Sequence, residues 1–135
     1  MPRPRVFVIT PFNPDGQRVE EAVRPAVEES GFVVAHLSQA IRPGAELTSS
    51  ILDSIRKADL IIADVSFQNP NVLYEIGFAH ALRKPTILLY NIRSGSGLPS
   101  DLVGFDYITY DPADLRGLAD LVKTVTEAHV MQRSA

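Results

Sequence analysis

The chain has 135 residues, with 13 Lys and Arg against 16 Asp and Glu, for a net charge of −3. Hydrophobic residues make up 45% and charged residues 21%. That balance excludes a disordered or collagen-like chain and predicts one globular domain over residues 1–135. A mildly acidic chain without a basic block argues against a nucleic acid polymer as partner. No apolar run reaches the length of a membrane span, and the basic start MPRPRVFVIT has too short an apolar run for a signal peptide. There is no cysteine, hence no disulfide framework, thiol nucleophile or thiolate metal site. This fits a reducing, cytoplasmic setting.

Val6 to Thr10 is β-branched and apolar and predicts a buried strand. Pro11 to Gln17 (PFNPDGQ) is a cluster of turn formers. A helix follows over Val19 to Ser30, with Val23, Ala26 and Val27 on one face. Pro25 is expected to kink or shorten it, and Gly31 to stop it. Phe32 to Leu37 predicts a second strand and Ser38 to Ala45 a loop. Glu46 to Ala58 predicts a helix, apolar at Leu47, Ile51, Leu52 and Ile55. Asp59 to Val65 (DLIIADV) predicts a third strand, Ser66 to Asn71 a loop and Val72 to Arg83 a third helix. Pro85 to Asn91 predicts a fourth strand, Arg93 to Gly104 a loop of Gly, Ser and Pro, and Phe105 to Tyr110 a fifth strand. A closing helix runs from Ala113 to about Gln132.

Strands that alternate with helices make βαβ units and a parallel sheet, and right-handed crossovers put helices on both of its faces. Five strands in this length predict a three-layer, doubly wound α/β fold of flavodoxin-like order 2-1-3-4-5. Ligands of such folds bind beyond the carboxyl ends of the strands, at the switch point between strands one and three. The expected site is therefore Thr10, Pro11 and Phe12, then Asp64, Val65 and Ser66, with the residues that open the third helix. Tyr90-Asn91 and Tyr110-Asp111 lie farther along the same edge.

Three common uses of this architecture fail on residues. A phosphoacceptor receiver needs acids after the first strand and a Lys after the fifth; here stand Thr10-Pro11-Phe12 and Tyr110-Asp111. A flavin site wants a Ser, Thr and Gly phosphate loop where this chain has PFNPDGQ. A dinucleotide fingerprint needs G-x-G-x-x-G in the first turn, whereas Gly95-Ser96-Gly97 lies after strand four. No histidine pair has metal-ligand spacing, so neither a metal site nor a cofactor is expected.

The most informative stretch is Ala63 to Pro85, ADVSFQNPNVLYEIGFAHALRKP. Asn69-Pro70-Asn71 is a helix-start signal, with Asn69 as cap and Pro70 in the first helical position. The free N–H groups of such a helix end suit a phosphate or carboxylate, although a capped helix requires no ligand. Glu75 follows in the second turn among Val72, Leu73, Ile76, Phe78 and Ala79. Gly77 costs a helix about 1 kcal/mol relative to Ala; it either lets the helix lie close against the sheet or leaves room beside Glu75.

This stretch resembles the nucleoside 2-deoxyribosyltransferase-like group and the related TIR-like (Toll–interleukin receptor) domains. The resemblance covers most of the chain: VFVITPF, then IRKADLIIADVS, then NPNVLYEIGFAHALRKPTILL, and more loosely LPSDLVGFDYITYD. Its most specific element is the run Glu75, Gly77, Ala79, Ala81, Leu82, Lys84, Pro85. The resemblance implies cleavage of an N-glycosidic bond, with Glu75 at the position of the transferases' nucleophile and of the helical Glu in TIR-like NAD-cleaving enzymes. It also shows departures. Asn69 stands where the transferases carry an Asp, Phe12 where they carry a tyrosine, and Ile51 near a further expected Asp, with Asp53 out of register. These point away from deoxyribosyl transfer and towards the TIR-like, nucleotide-binding branch.

Loss of a base from a ribosyl carbon develops positive charge, which a carboxylate in a partly dry crevice stabilises or captures covalently. A second carboxyl group assists by donating a proton or activating water. Asp64 is the first candidate for it, and equally for a loop-capping carboxylate. Thr10, Pro11, Phe12, Ser66, Asn69, Asn71 and Asn91 are the expected substrate contacts. Arg93 is a candidate phosphate partner or a solvated side chain. The expected ligand is a nucleotide, nucleoside or NAD. The alternatives are a non-catalytic nucleotide-binding or sensing domain and a TIR-like interaction domain. So small a domain has little room to enclose a ligand, which leads to the expectation of a homo-oligomer.

Overall fold

The computed structural model describes residues 3–37, 48–66, 69–95, 97, 102 and 105–134. Along them run β1 (Arg5–Ile9), α1 (Pro14–Glu29), β2 (Val33–Leu37), α2 (Thr48–Lys57), β3 (Leu60–Asp64), α3 (Pro70–Ala81), β4 (Thr86–Asn91), β5 (Asp106–Tyr110) and α4 (Leu115–Ser134). Every strand pairing is parallel, and the order is β2-β1-β3-β4-β5. This is the flavodoxin-like α/β arrangement that the alternation of elements predicts. The loop expected at Ser38 to Ala45 lies outside the described residues. Among the described residues no helix is long and apolar enough to cross a membrane.

Successive side chains of a strand point to opposite faces of the sheet, and two cores result. On one face Val6, Val8, Leu60, Ile62, Leu89 and Ile108 pack against Val23 and Val27 of α1 and Leu118 and Val122 of α4. On the other, Phe7, Ile9, Ile61, Ala63 and Leu88 pack against Ile51 and Ile55 of α2 and Val72, Ile76 and Ala79 of α3. β3, in the centre of the sheet, is buried along its whole length, as a parallel strand covered on both faces must be.

Three local expectations change. The first helix begins at Pro14, not Val19. Asn13 caps it, its Oδ1 accepting the Gly16 N–H at 2.8 Å, and Pro14 takes the first helical position. The residues expected to form a turn are thus a cap and a first helical turn. The helix also passes through Pro25 to Glu29. Pro25 and Glu21 are both exposed, so the Glu21 carbonyl that the proline ring cannot serve lies on the open side of the helix, where losing that bond costs least. The third helix begins at Pro70, where its cap signal puts it, rather than at Val72. Gly31 does end α1, at a φ of 93° that favours glycine.

Two glycines show opposite constraints. A Cβ on Gly16 would stand 2.0 Å from the Pro11 carbonyl oxygen, so the chain turns from β1 into α1 only with glycine there. A Cβ on Gly77 would meet nothing within 4 Å, which overturns the idea that Gly77 serves helix–sheet packing. Gly16→Ala is therefore expected to lower stability by at least ~2 kcal/mol, and Gly77→Ala to raise it by up to ~1 kcal/mol. Urea unfolding midpoints measure both, and a shift of the same sign in the two variants would contradict this account.

Candidate active site

Glu75 sits in the second turn of α3, on the side that holds Val72, Ile76 and Ala79. That side faces the sheet because its other members are core residues. Glu75 is carried in with them and is only 6% exposed. Its Oε2 is buried and has no hydrogen-bond partner among the described residues. Burial pushes the carboxyl up from 4.5 to about 7, because an ion in an apolar setting loses its hydration. The start of α3 is closed by Asn69, whose Oδ1 accepts the N–H groups of Asn71 at 2.9 Å and Val72 at 3.3 Å. Asn69 is half-buried and Asn71 exposed.

The raised value makes stability depend on pH. The folded state holds the Glu75 proton more tightly than the unfolded chain does. The stability this contributes is fully present below about pH 4.5 and is lost as the pH rises to about 7. The loss amounts to ~3 kcal/mol at about 1.4 kcal/mol per pH unit. Between about pH 5 and about pH 7 the urea midpoint of the wild type is expected to fall more steeply than that of Glu75→Gln. Equal slopes would show that Glu75 titrates as it does in the unfolded chain.

Asp64 ends β3 and is 3% exposed. Its Oδ2 accepts the Tyr110 hydroxyl at 2.6 Å. Its Oδ1 accepts the Ser66 N–H at 2.8 Å and the Ser66 hydroxyl. The Ser66 Oγ in turn accepts the Asn91 N–H at 2.8 Å. One buried network thus ties β3, β4 and β5 together at their carboxyl ends. Burial raises the Asp64 carboxyl above the usual range, against the lowering effect of Ser66 and Tyr110. Burial, then the charge and hydrogen bond of Asp64, push the Tyr110 phenol well above its ordinary value. Tyr110 therefore keeps its proton and donates a hydrogen bond to Asp64.

The structure brings together Asp64, Ser66 and Asn91 of the expected site. It does not bring Asp64 to Glu75. Asp64 shares the parity of Leu60 and Ile62 and bonds to Tyr110, all on the α1 and α4 face, whereas Glu75 belongs to the α2 and α3 face. Thr10 and Pro11 are buried at the end of β1, and Ile9 pairs with Ala63, which places Thr10 beside the end of β3. Phe12 stands out from the same turn, 61% exposed.

Arg93 does not stand ready for a phosphate. Its Nε and one terminal nitrogen each donate to Asp111 at 3.0 Å, a two-pronged pair. Sequence reasoning placed Tyr110 on this edge but missed its bond to Asp64. Its signal was parity: it shares with Ile108 the buried side of a strand whose other residues are exposed. Among the described residues no group of three or more His, Asp and Glu side chains is placed to hold a metal ion.

No protein-family model matches the sequence, and none of the curated proteins is detectably similar to it. Solved structures do share its fold. The CMP N-glycosidase BcmB of Clostridium botulinum is 24% identical, over 87% of this chain and 98% of that one, with a TM-score of 0.64. A 2-deoxyribosyltransferase of Bacillus psychrosaccharolyticus is 16% identical, over 83% and 90%, with a TM-score of 0.63. At these identities the likeness is one of fold.

Proposed function

We propose that the protein cleaves the ribosyl–base bond of a nucleotide, nucleoside or NAD, with Glu75 as nucleophile or as stabiliser of the ribosyl cation. The observation that carries this reading is the buried Oε2 of Glu75, which has no hydrogen-bond partner among the described residues. A lone buried carboxyl costs stability, and a substrate carbon that gains positive charge is a partner that repays it. A value of about 7 leaves a substantial ionised fraction at neutral pH, as a nucleophile needs. In the reaction the C1′–N bond breaks and its electron pair leaves with the base. C1′ is captured or stabilised by the Glu75 carboxylate, and water then adds to C1′ and frees the carboxylate, its spare proton passing to the departed base or, with nicotinamide, to solvent. Phe12 offers an aromatic face for the base at the rim, and Asn69 a side-chain amide for a ribose hydroxyl or base edge.

Two solved structures of this fold act on nucleoside-type substrates by their names, a CMP N-glycosidase and a 2-deoxyribosyltransferase, and this supports the same class of bond here. The test is base release, followed by chromatography, from NAD and from a panel of nucleosides, deoxynucleosides and their monophosphates. NAD is the first substrate to try. Its nicotinamide ring is already cationic and leaves without taking a proton, so it needs no second acid beside Glu75. A second reading has its own support. With its side chain on the other face and its oxygens taken, Asp64 does not serve as the companion carboxyl of a glycosidase pair, which suits a nucleotide-binding domain without turnover. Tight nucleotide binding with no product from any substrate would favour it.

A further inference from the structure

We infer that two copies of this chain join through the outer face of α3, with Tyr74 of each copy seated over Gly77 of the other about a two-fold axis. This gives the homo-oligomer expected from the size of the domain its surface, whatever the reaction at Glu75. α3 covers the sheet with Val72, Ile76 and Ala79, yet its opposite side carries no Lys, Arg, Asp or Glu. Its exposed residues are Pro70, Asn71, Tyr74, Gly77, His80 and Ala81, and its one acid, Glu75, is buried. The other helices show the usual contrast between faces. Arg18 and Glu21 of α1, Asp53 and Lys57 of α2, and Arg116 and Glu127 of α4 are all exposed. A helix without a charged face belongs in an interior, and α3 lacks a cover only on its outer side. There Tyr74 is 59% exposed, and Leu82, just past the helix, 40%.

Charge and shape favour a second copy over another occupant. Across a two-fold axis a surface meets itself, so a charge near the axis faces its own kind. In a chain of net charge −3, α3 is the helix whose outer face meets itself without that repulsion. The nearest cations lie towards its C-terminal end: Arg56, 5.3 Å from the centre of the Phe78 ring, and Arg83, exposed after the helix. A two-fold axis across α3 sets the two helices antiparallel and sends the two groups of cations to opposite ends of the pair. As to shape, Tyr74 stands out and Gly77, three residues on, leaves a hollow, since a Cβ there would meet nothing within 4 Å. Glycine inside a helix costs about 1 kcal/mol relative to Ala, and nothing described in its own chain packs against Gly77. With the axis between them, Tyr74 of each copy covers Gly77 of the other. One contact is then made twice, and both rings leave water.

Sedimentation velocity of the full chain, from about 1 to about 100 µM, tests this with the wild type, Tyr74→Glu, Gly77→Leu and Leu121→Glu. The contact between two helices is small, so the wild type is expected to pass from monomer to dimer within that range. Tyr74→Glu puts a carboxylate into both contacts and is expected to raise the dissociation constant at least about 30-fold. Gly77→Leu fills the hollow without adding charge and is expected to raise it at least about 10-fold. Leu121, on α4, is a similarly exposed apolar residue at 48%. Leu121→Glu is expected to leave the constant within about two-fold, since it lies outside the contact. Thermal unfolding at about 1 µM, where the chain is monomeric, shows whether each variant is folded. If Tyr74→Glu fails to fold, Gly77→Leu decides. A wild type that stays monomeric at about 100 µM overturns the inference. So does a dimer that survives the folded variants of α3, or one that Leu121→Glu breaks as readily. Base release plays no part in these measurements, so the proposed activity stands or falls separately.

Discussion

Glu75→Gln is expected to reduce base release by roughly 10³-fold or more, with the fold intact. The two side chains have the same shape, so the core around Val72, Ile76 and Ala79 needs no repacking. What disappears is the negative charge. A neutral amide neither captures C1′ nor offsets the charge that develops there when the base departs. Wild-type kcat/KM should rise with pH on a limb centred near 7, as Glu75 loses its proton, and that limb should be missing from whatever activity Glu75→Gln retains. Chromatographic release from the best substrate, across about pH 5 to about pH 9, reads both effects. Release that survives the substitution within about ten-fold would remove Glu75 from the chemistry, since a nucleophile or a cation-stabilising carboxylate contributes more than that.

Asp64→Ala is expected to cost the fold ~2–4 kcal/mol, the largest loss among the polar residues considered. The substitution leaves three buried donors without their acceptor: the Tyr110 hydroxyl, the Ser66 hydroxyl and the Ser66 N–H. It also loosens Ser66, which holds the Asn91 N–H. Removing a desolvated carboxyl returns part of this, because burial already disfavours its charged form. The remaining cost is the desolvation of the orphaned donors. Urea unfolding of the variant, at a pH where the wild type is two-state, gives the difference directly. A loss below about 1 kcal/mol would mean that the donors find water or other acceptors, and that Asp64 is not the centre of the network. The Arg93–Asp111 pair looks as complete on distance alone, but it lies in solvent, where such pairs are screened.

These two carboxyls separate what could be read along the chain from what could not. Glu75 was legible. It follows a cap signal at Asn69-Pro70, stands among apolar neighbours at helical spacing, and lies in the run that carries the family resemblance. Each of those is a relation between residues a few positions apart. The alternation of strands and helices, with the sheet order that follows from right-handed crossovers, was legible for the same reason. The start of α1 was misread because Pro, Asn, Asp and Gly favour both turns and helix starts. Asn13 and Pro14 are a cap and a first helical residue, the same chemistry as Asn69 and Pro70, but no apolar run of helical period follows them closely enough to show it.

Asp64 was legible as a residue at the strand end but not as a partner. Whether it meets Glu75 depends on which face of the sheet each occupies. That follows from strand parity and from the sides on which α1 and α3 cross over. Its actual partner, Tyr110, is 46 residues away in sequence and two strands away in the sheet. Local patterns reveal secondary structure because propensity, capping and periodicity act between near neighbours. The partners of buried polar groups are chosen by packing between elements distant in the chain, and so the division of this edge into an unpartnered carboxyl on one face and a hydrogen-bonded one on the other emerged only in the folded molecule.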